Sequence, residues 1–260
     1  AVMPTGAGKS ICYQLPSLML PGITIVISPL ISLMQDQVKA LNEAGIRAAY
    51  INSSLTPAQV TKALNFAAEG KYKIMYVAPE RLESAEFLRF AEKADISLVT
   101  VDEAHCISQW GQDFRPSYMK IMDFVNSLPQ RPVLAAFTAT ATEEVKEDIE
   151  CILNLQNPEV AVTGFDRKNL FYSVEAVKRE TAKRKADFVL DFVASHAKDS
   201  GIIYCSTRKS VEAVCELLLA KGVAATRYHA GLDNETRKQN QNDFIYDKES
   251  VMVATNAFGM

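Results

Sequence analysis

Short, apolar, β-branched runs alternate with amphipathic helical stretches along nearly the whole chain. That alternation confines it to parallel sheets covered by helices on both faces. Ile23 to Ser28, Lys73 to Ala78, Ile96 to Asp102 and Pro132 to Thr138 read as strands. Between the first two, Leu30 to Ala44 places apolar residues at 30, 34, 38 and 41 and stops at Gly45, the pattern of a helix ended by glycine. Thr56-Pro57 supplies a cap and a first-turn proline for another helix, which Gly70 ends. Helices are also expected near Ser117 to Ser127 and Thr142 to Leu153. A second series then begins, with strands at Leu170 to Ala176, Gly201 to Cys205, Ala224 to Tyr228 and Val251 to Ala254. Its helices are Arg179 to His196, Thr207 to Lys221 and Asp233 to Tyr246. With 260 residues, 48% of them hydrophobic, the chain can build two cores. Six acids and one lysine lie between Glu143 and Glu159, against seven Lys/Arg and two acids between Arg167 and Lys185. The switch marks a boundary near Thr163 to Asn169, giving domains at 1–164 and 165–260.

The charge balance, 28 Lys+Arg against 31 Asp+Glu with a pI near 5.7, lacks the basic excess usual in nucleic-acid proteins. Both charge runs also read as solvated helix faces. The five cysteines (12, 106, 151, 205 and 215) form no C-x-x-C and have three histidines for company. Zinc and a disulfide framework are therefore not expected, and a reducing cytoplasm is the natural setting. No apolar run approaches the ~20 residues that span a membrane.

Chemistry enters at the first residues. Thr5-Gly6-Ala7-Gly8-Lys9-Ser10 ends in the G-K-S of a phosphate-binding loop. Gly6 and Gly8 let backbone N–H groups turn inward, Lys9 can reach the β- and γ-phosphates of ATP, and the Ser10 hydroxyl can hold Mg²⁺. Met3 stands where the general pattern has glycine, and a bare G-K-S also suits an ordinary glycine-rich turn. About ninety residues on, the strand ending at Val101 delivers Asp102 and Glu103 to the carboxyl edge of its sheet. Asp102 there can hold Mg²⁺ and Glu103 can take a proton from the attacking water. The two features together point to a nucleoside triphosphatase.

MPTGAGKSICYQLP (3–16), DEAHCISQWGQDFRPSY (102–118), AFTATA (136–141), YHAGL (228–232) and VMVATNAFGM (251–260) resemble the helicase motifs of superfamily two, and RecQ helicases in particular. The family's motif order runs over essentially the whole chain. The resemblance implies two tandem RecA-like lobes, ATP and Mg²⁺ as cofactors, and single-stranded and duplex DNA as partners. It also implies 3′-to-5′ movement, and it adds His105 to Lys9, Asp102 and Glu103 as the catalytic set.

The stretch after Asp102-Glu103-Ala104-His105 is the most specific. Trp110, the one tryptophan, stands with Phe114, Arg115 and Tyr118 directly after the carboxylates. Bases of single strands stack on such side chains, and in the family this loop couples DNA binding to hydrolysis. An aromatic pair four residues apart also suits a core. Gly111, Pro116 and the polar Gln109, Gln112 and Asp113 favour a loop. By resemblance, Thr138 and Thr140 link nucleotide state to DNA grip. Ser28-Pro29-Leu30, Ser206, Arg208, His229, Thr255 and Asn256 fall in backbone-contacting motifs, although each also has a plain loop reading.

The resemblance further makes both lobes truncated. The family's adenine-recognition segment would precede Ala1, and its arginine finger and accessory domains would follow Met260. A chain so cut is expected to be a poor ATPase and no helicase by itself. Two other readings stand beside the DNA motor: an RNA-remodelling ATPase of the same superfamily, and a non-catalytic nucleotide- or nucleic-acid-binding piece.

Overall fold

The computed structural model describes residues 1–111, 113–164, 170–175, 182–255 and 258, and of residues 182, 183 and 234 the backbone only. The chain divides into two compact units, Ala1–Lys168 and Asn169–Met260. Asn256 and most of the 163–169 boundary lie outside the described residues.

The first unit holds strands β1 (Ile23–Ile27), β2 (Ala48–Ile51), β3 (Ile74–Val77), β4 (Ile96–Val101) and β5 (Val133–Ala136). They form one parallel sheet in the order β2-β3-β1-β4-β5. Helices α1 (Lys9–Met19), α2 (Ile31–Glu43), α3 (Pro57–Ala68), α4 (Ala85–Ala91), α5 (Ile121–Ser127) and α6 (Glu143–Ile152) cover it. Side chains of a strand alternate between faces, and here each face has its own core. Ile25, Ile27, Met75, Val77, Val99 and Val101 pack with Leu64 of α3, Phe87 of α4, Phe124 of α5 and Ile149 of α6. On the other face Val26, Ile74 and Tyr76 pack with Tyr13 of α1 and Met34, Val38 and Leu41 of α2. Burial on both sides explains why β1, β3 and β4 read as nearly continuous apolar runs.

Three elements of the first unit, α1, β2 and α4, escape the sequence pattern. The strand β2, Ala-Ala-Tyr-Ile, has no run of branched residues, and it forms by pairing with β3 along four residues. The seven-residue α4 is too short for a helical period; Ser84 Oγ caps it by accepting from Phe87 N–H at 3.4 Å. The helix expected at Ser117 to Ser127 divides into a 3-10 turn, Pro116–Lys120, and α5.

The second unit has α7 (Ala182–Ser195), β6 (Gly201–Tyr204), α8 (Arg208–Ala220), β7 (Ala225–Tyr228), α9 (Asn234–Ile245) and β8 (Val251–Ala254). Its parallel sheet runs β6-β8-β7. Val211, Cys215 and Leu218 of α8 pack on Ala225, Val251 and Val253, and Val189, Leu190 and Val193 of α7 join them. One strand expectation fails. Leu170 to Glu175 joins neither sheet, and Phe171, Tyr172 and Val174 lie exposed. A β-prone run makes a strand only where another strand offers its edge. Among the described residues no helix is long and apolar enough to cross a membrane.

Candidate nucleotide site and its neighbouring loop

Parallel register carries the motif residues of the first unit to one edge. Ile27 pairs with Val77 and Val101, and Val101 with Ala136, so Ser28, Ala78, Asp102 and Thr138 all follow at the carboxyl ends. The residues entering the phosphate loop reach the same edge, because Val2 bridges Thr138 on one side and Val162 on the other, in parallel.

Gly6 and Gly8 have φ of 82° and 86°, a left-handed conformation that glycine alone adopts freely. Thr5 through Gly8 are exposed, and no atom lies within 4 Å of where a Cβ on either glycine would stand. Gly8 caps α1 without a side-chain bond. Ile11 N–H bonds to the Gly8 carbonyl at 3.0 Å, which leaves the Lys9 and Ser10 N–H groups at the start of the helix for an anion. Lys9 Nζ rests on the Met3 carbonyl at 3.2 Å. Tyr13, one turn on, meets the Ser10 hydroxyl and the Tyr76 hydroxyl at 3.4 Å, and Tyr76 in turn accepts from Gln14 Nε2 at 3.0 Å. This buried polar group was not visible in the sequence, because its members are dispersed through apolar runs.

Asp102 is 5% exposed. Burial first, and then the neighbouring Glu103, lift its carboxyl to about 6, against the pull of the Glu103 N–H and the Lys9 ammonium. A buried carboxylate and a serine hydroxyl are hard oxygen donors of the kind Mg²⁺ takes. Glu103 sits at φ 47°, ψ 47°, a left-handed conformation rare for a residue with a side chain. The turn is held by Ala104 N–H on the Phe137 carbonyl, 2.9 Å, and Cys106 N–H on the Glu103 carbonyl, 2.9 Å. His105 Nδ1 lies 3.4 Å from Glu103 Oε2 and 2.8 Å from Thr138 Oγ1. Thr138 is buried; Thr140 is exposed and receives the Thr138 hydroxyl proton on its carbonyl at 3.0 Å.

The loop after His105 separates its aromatic residues. Trp110 is 79% exposed and Phe114 is half-buried. Tyr118 does not share their surface. It is fully buried, and its hydroxyl donates to the Asp102 carbonyl at 2.9 Å, so it braces the carboxylate turn instead of offering a stacking face. Arg115 is half-buried. It donates twice to Asp113 Oδ2, at 3.0 and 2.8 Å, and once to the Pro29 carbonyl at 3.2 Å. It thereby ties the loop to the Ser28-Pro29-Leu30 segment. Gly111 admits no larger residue, since a Cβ there would stand 2.2 Å from the His105 carbonyl oxygen.

In the second unit, Tyr204, Ala254 and Tyr228 are in register, so Ser206, Thr255 and His229 gather at that sheet's carboxyl edge. Ser206 and Arg208 are exposed, and the Arg208 stem lies against Gly231. His229 is 5% exposed with both ring nitrogens engaged. Nδ1 accepts from Gly231 N–H at 3.1 Å and Nε2 meets Glu212 Oε1 at 2.7 Å. Its imidazole shapes the turn, and the exposed groups there are those of Ser206, Arg208 and the turn backbone.

A phosphate loop, a strand-end carboxylate pair and a threonine on the adjoining strand define a RecA-like helicase lobe. The DEAD/DEAH box helicase family model matches residues 1–148, and the helicase conserved C-terminal domain matches 184–260. The chain is 51% identical over 259 residues to the ATP-dependent DNA helicase RecQ of Bacillus subtilis, covering all of this chain and 43% of that one. It is 45% identical over 260 residues to the protein of the same name from Pasteurella multocida, covering 100% and 40%. A solved structure of the DUF1998 helicase MrfA bound to DNA and AMPPNP superimposes with a TM-score of 0.75 at 21% identity, over all of this chain and 40% of that one. The chain therefore belongs to the DEAD/DEAH box helicases, in their RecQ branch. It spans about two fifths of the length of these curated relatives.

Proposed function

We propose that this chain is the motor core of an ATP-dependent DNA helicase, moving 3′ to 5′ on a single strand. The observation that carries the reading is the meeting of Lys9, Asp102 and Glu103 at one sheet edge, with an exposed tryptophan seven residues past Glu103. The amides at the start of α1 and the Lys9 ammonium receive the triphosphate. Ser10 and Asp102 would hold Mg²⁺, which when bound neutralises charge on the phosphates. Glu103, on its left-handed turn with its carboxylate 3.4 Å from His105 Nδ1, takes the proton of the attacking water. His105 and Thr138 connect that carboxylate to the Thr138–Thr140 segment. Trp110 offers its ring to a base, while Ser206, Arg208 and the Gly231 turn meet backbone phosphates without reading sequence.

That the RecQ relatives of Bacillus subtilis and Pasteurella multocida are DNA helicases supports DNA over RNA. The test is ATP turnover by the full-length protein with single-stranded DNA or RNA, followed by unwinding of 3′- and 5′-tailed duplexes. DNA-selective stimulation and 3′-tailed unwinding, both lost in Lys9→Ala, are expected. Stimulation by RNA alone would replace the reading with an RNA-remodelling one.

A further inference from the structure

Ser108 opens the loop that carries Trp110, and it is fully buried. Its hydroxyl accepts the Trp110 N–H at 3.1 Å and donates its own proton to Asp148 Oδ2 at 2.6 Å. Asp148 belongs to α6, not to the loop. A hydroxyl bound to a carboxylate is among the stronger neutral-to-charged hydrogen bonds. The same turn is closed by Ser108 N–H on the His105 carbonyl, 3.2 Å, and Gly111 N–H on the Ser108 carbonyl, 3.0 Å. With Gly111 already pressed on the His105 carbonyl, residues 105–111 form one folded turn, anchored sideways to α6.

The helix α6 starts at the cap Thr142, two residues after Thr140. One short segment thus holds the turn at two places: Thr138 on His105, and Asp148 on Ser108. A shift of that segment reaches the catalytic histidine and the tryptophan together. We infer that Asp148 is a positioning residue: through Ser108 it fixes the backbone of Trp110 and makes the loop move with the Thr138–Asp148 segment. The inference rests on the coupling role proposed for the loop.

Trp110 is the one tryptophan in the chain, so its emission reports the loop without a label. Time-resolved anisotropy should be measured on the 260-residue chain and on Asp148→Ala, Asp148→Asn, Ser108→Ala and the double alanine variant. Circular dichroism and the unfolding midpoint check that each is folded. In Asp148→Ala and Ser108→Ala the fast, local component should grow. The double variant should add little beyond either single one. Asp148→Asn keeps an acceptor oxygen and should recover most of the order. Unchanged anisotropy decay in folded Asp148→Ala and Ser108→Ala would overturn the inference. In the full-length protein, Asp148→Ala should raise the single-stranded DNA concentration for half-maximal ATPase stimulation about tenfold, at an unchanged basal rate, with Asp148→Asn restoring it. Loss of Trp110 order with no change in DNA response would overturn the coupling part. Absence of DNA stimulation in the unsubstituted protein would instead overturn the proposed function, while the anisotropy result still decides whether Asp148 holds the loop.

Discussion

His105 Nδ1 stands 2.8 Å from Thr138 Oγ1, which itself lies 3.0 Å from the Thr140 carbonyl. With the hydroxyl proton on the Thr140 carbonyl, Oγ1 accepts from the Nδ1–H tautomer of His105. Thr138→Val keeps the side chain's volume and removes the acceptor. The half-buried His105 ring is then left with Glu103 Oε2 at 3.4 Å. A loss of about 1–3 kcal/mol in stability is expected, read as a lower urea midpoint, whereas Thr138→Ser should be nearly neutral. Equal midpoints for the valine variant and the parent would mean that the contact carries nothing.

Glu103 separates binding from chemistry. Glu103→Gln keeps the left-handed turn and its backbone bonds but cannot take a proton. Nucleotide affinity should stay within about threefold, while turnover in the full-length protein falls by roughly 10²–10⁴. A parallel loss of affinity in a titration would reassign this carboxylate to binding.

The legible parts of this molecule are those where one local rule decides. Strands β1, β3, β4 and β8 are largely apolar, broken only by Thr24, Ser97 and Thr100, because both sheet faces are covered, and each reads directly from the sequence. The positions of the glycine turn and of the Asp102-Glu103 pair read equally well, since each follows from residues adjacent in the chain. What escaped depends on distant partners. Ala48–Ile51 becomes a strand because β3 lies beside it, and Leu170 to Glu175 does not because no edge meets it. Tyr118 looks like a stacking residue until the Asp102 carbonyl claims its hydroxyl. The contact between Ser108 and Asp148 spans forty residues with no motif to mark it.

Asp102 gives a test with a defined sign. Burial and Glu103 raise its carboxyl to about 6 in the folded chain, above its value in the unfolded chain. Between about pH 4 and 6 the folded state then holds more protons than the unfolded state, so stability falls as pH rises through that window and is level above it. Asp102→Asn removes the cost of the buried charge. In EDTA and without nucleotide it should stabilise the protein at pH 7.5 by at most roughly 3 kcal/mol, with the advantage gone near pH 4. Chemical denaturation at the two pH values measures this. Destabilisation at pH 7.5 would show that the charged form is held by contacts stronger than the Lys9 ammonium and the Glu103 N–H.

The thiols test the packing under the loop. Cys12 and Cys151 are exposed, Cys205 is half-buried, and Cys106 and Cys215 are buried. Cys106 lies beneath the loop, its Sγ 3.8 Å from His105 Nε2 and 4.0 Å from Asp113 Oδ2. Burial first, and then the Asp113 carboxylate, push its thiol up to about 12. Only the thiolate is alkylated, and at pH 8 a thiol of that kind is ionised to about one part in 10⁴. Iodoacetamide at pH 8, followed by mass spectrometry of the digest, should therefore label Cys12 and Cys151 quickly. Cys106 and Cys215 should react only on unfolding. Because access to Cys106 requires the turn at Ser108 to open, Asp148→Ala should speed its labelling selectively and leave Cys215 protected. Labelling of Cys106 in the native chain at the rate of Cys12 would mean that the loop does not close over it as described.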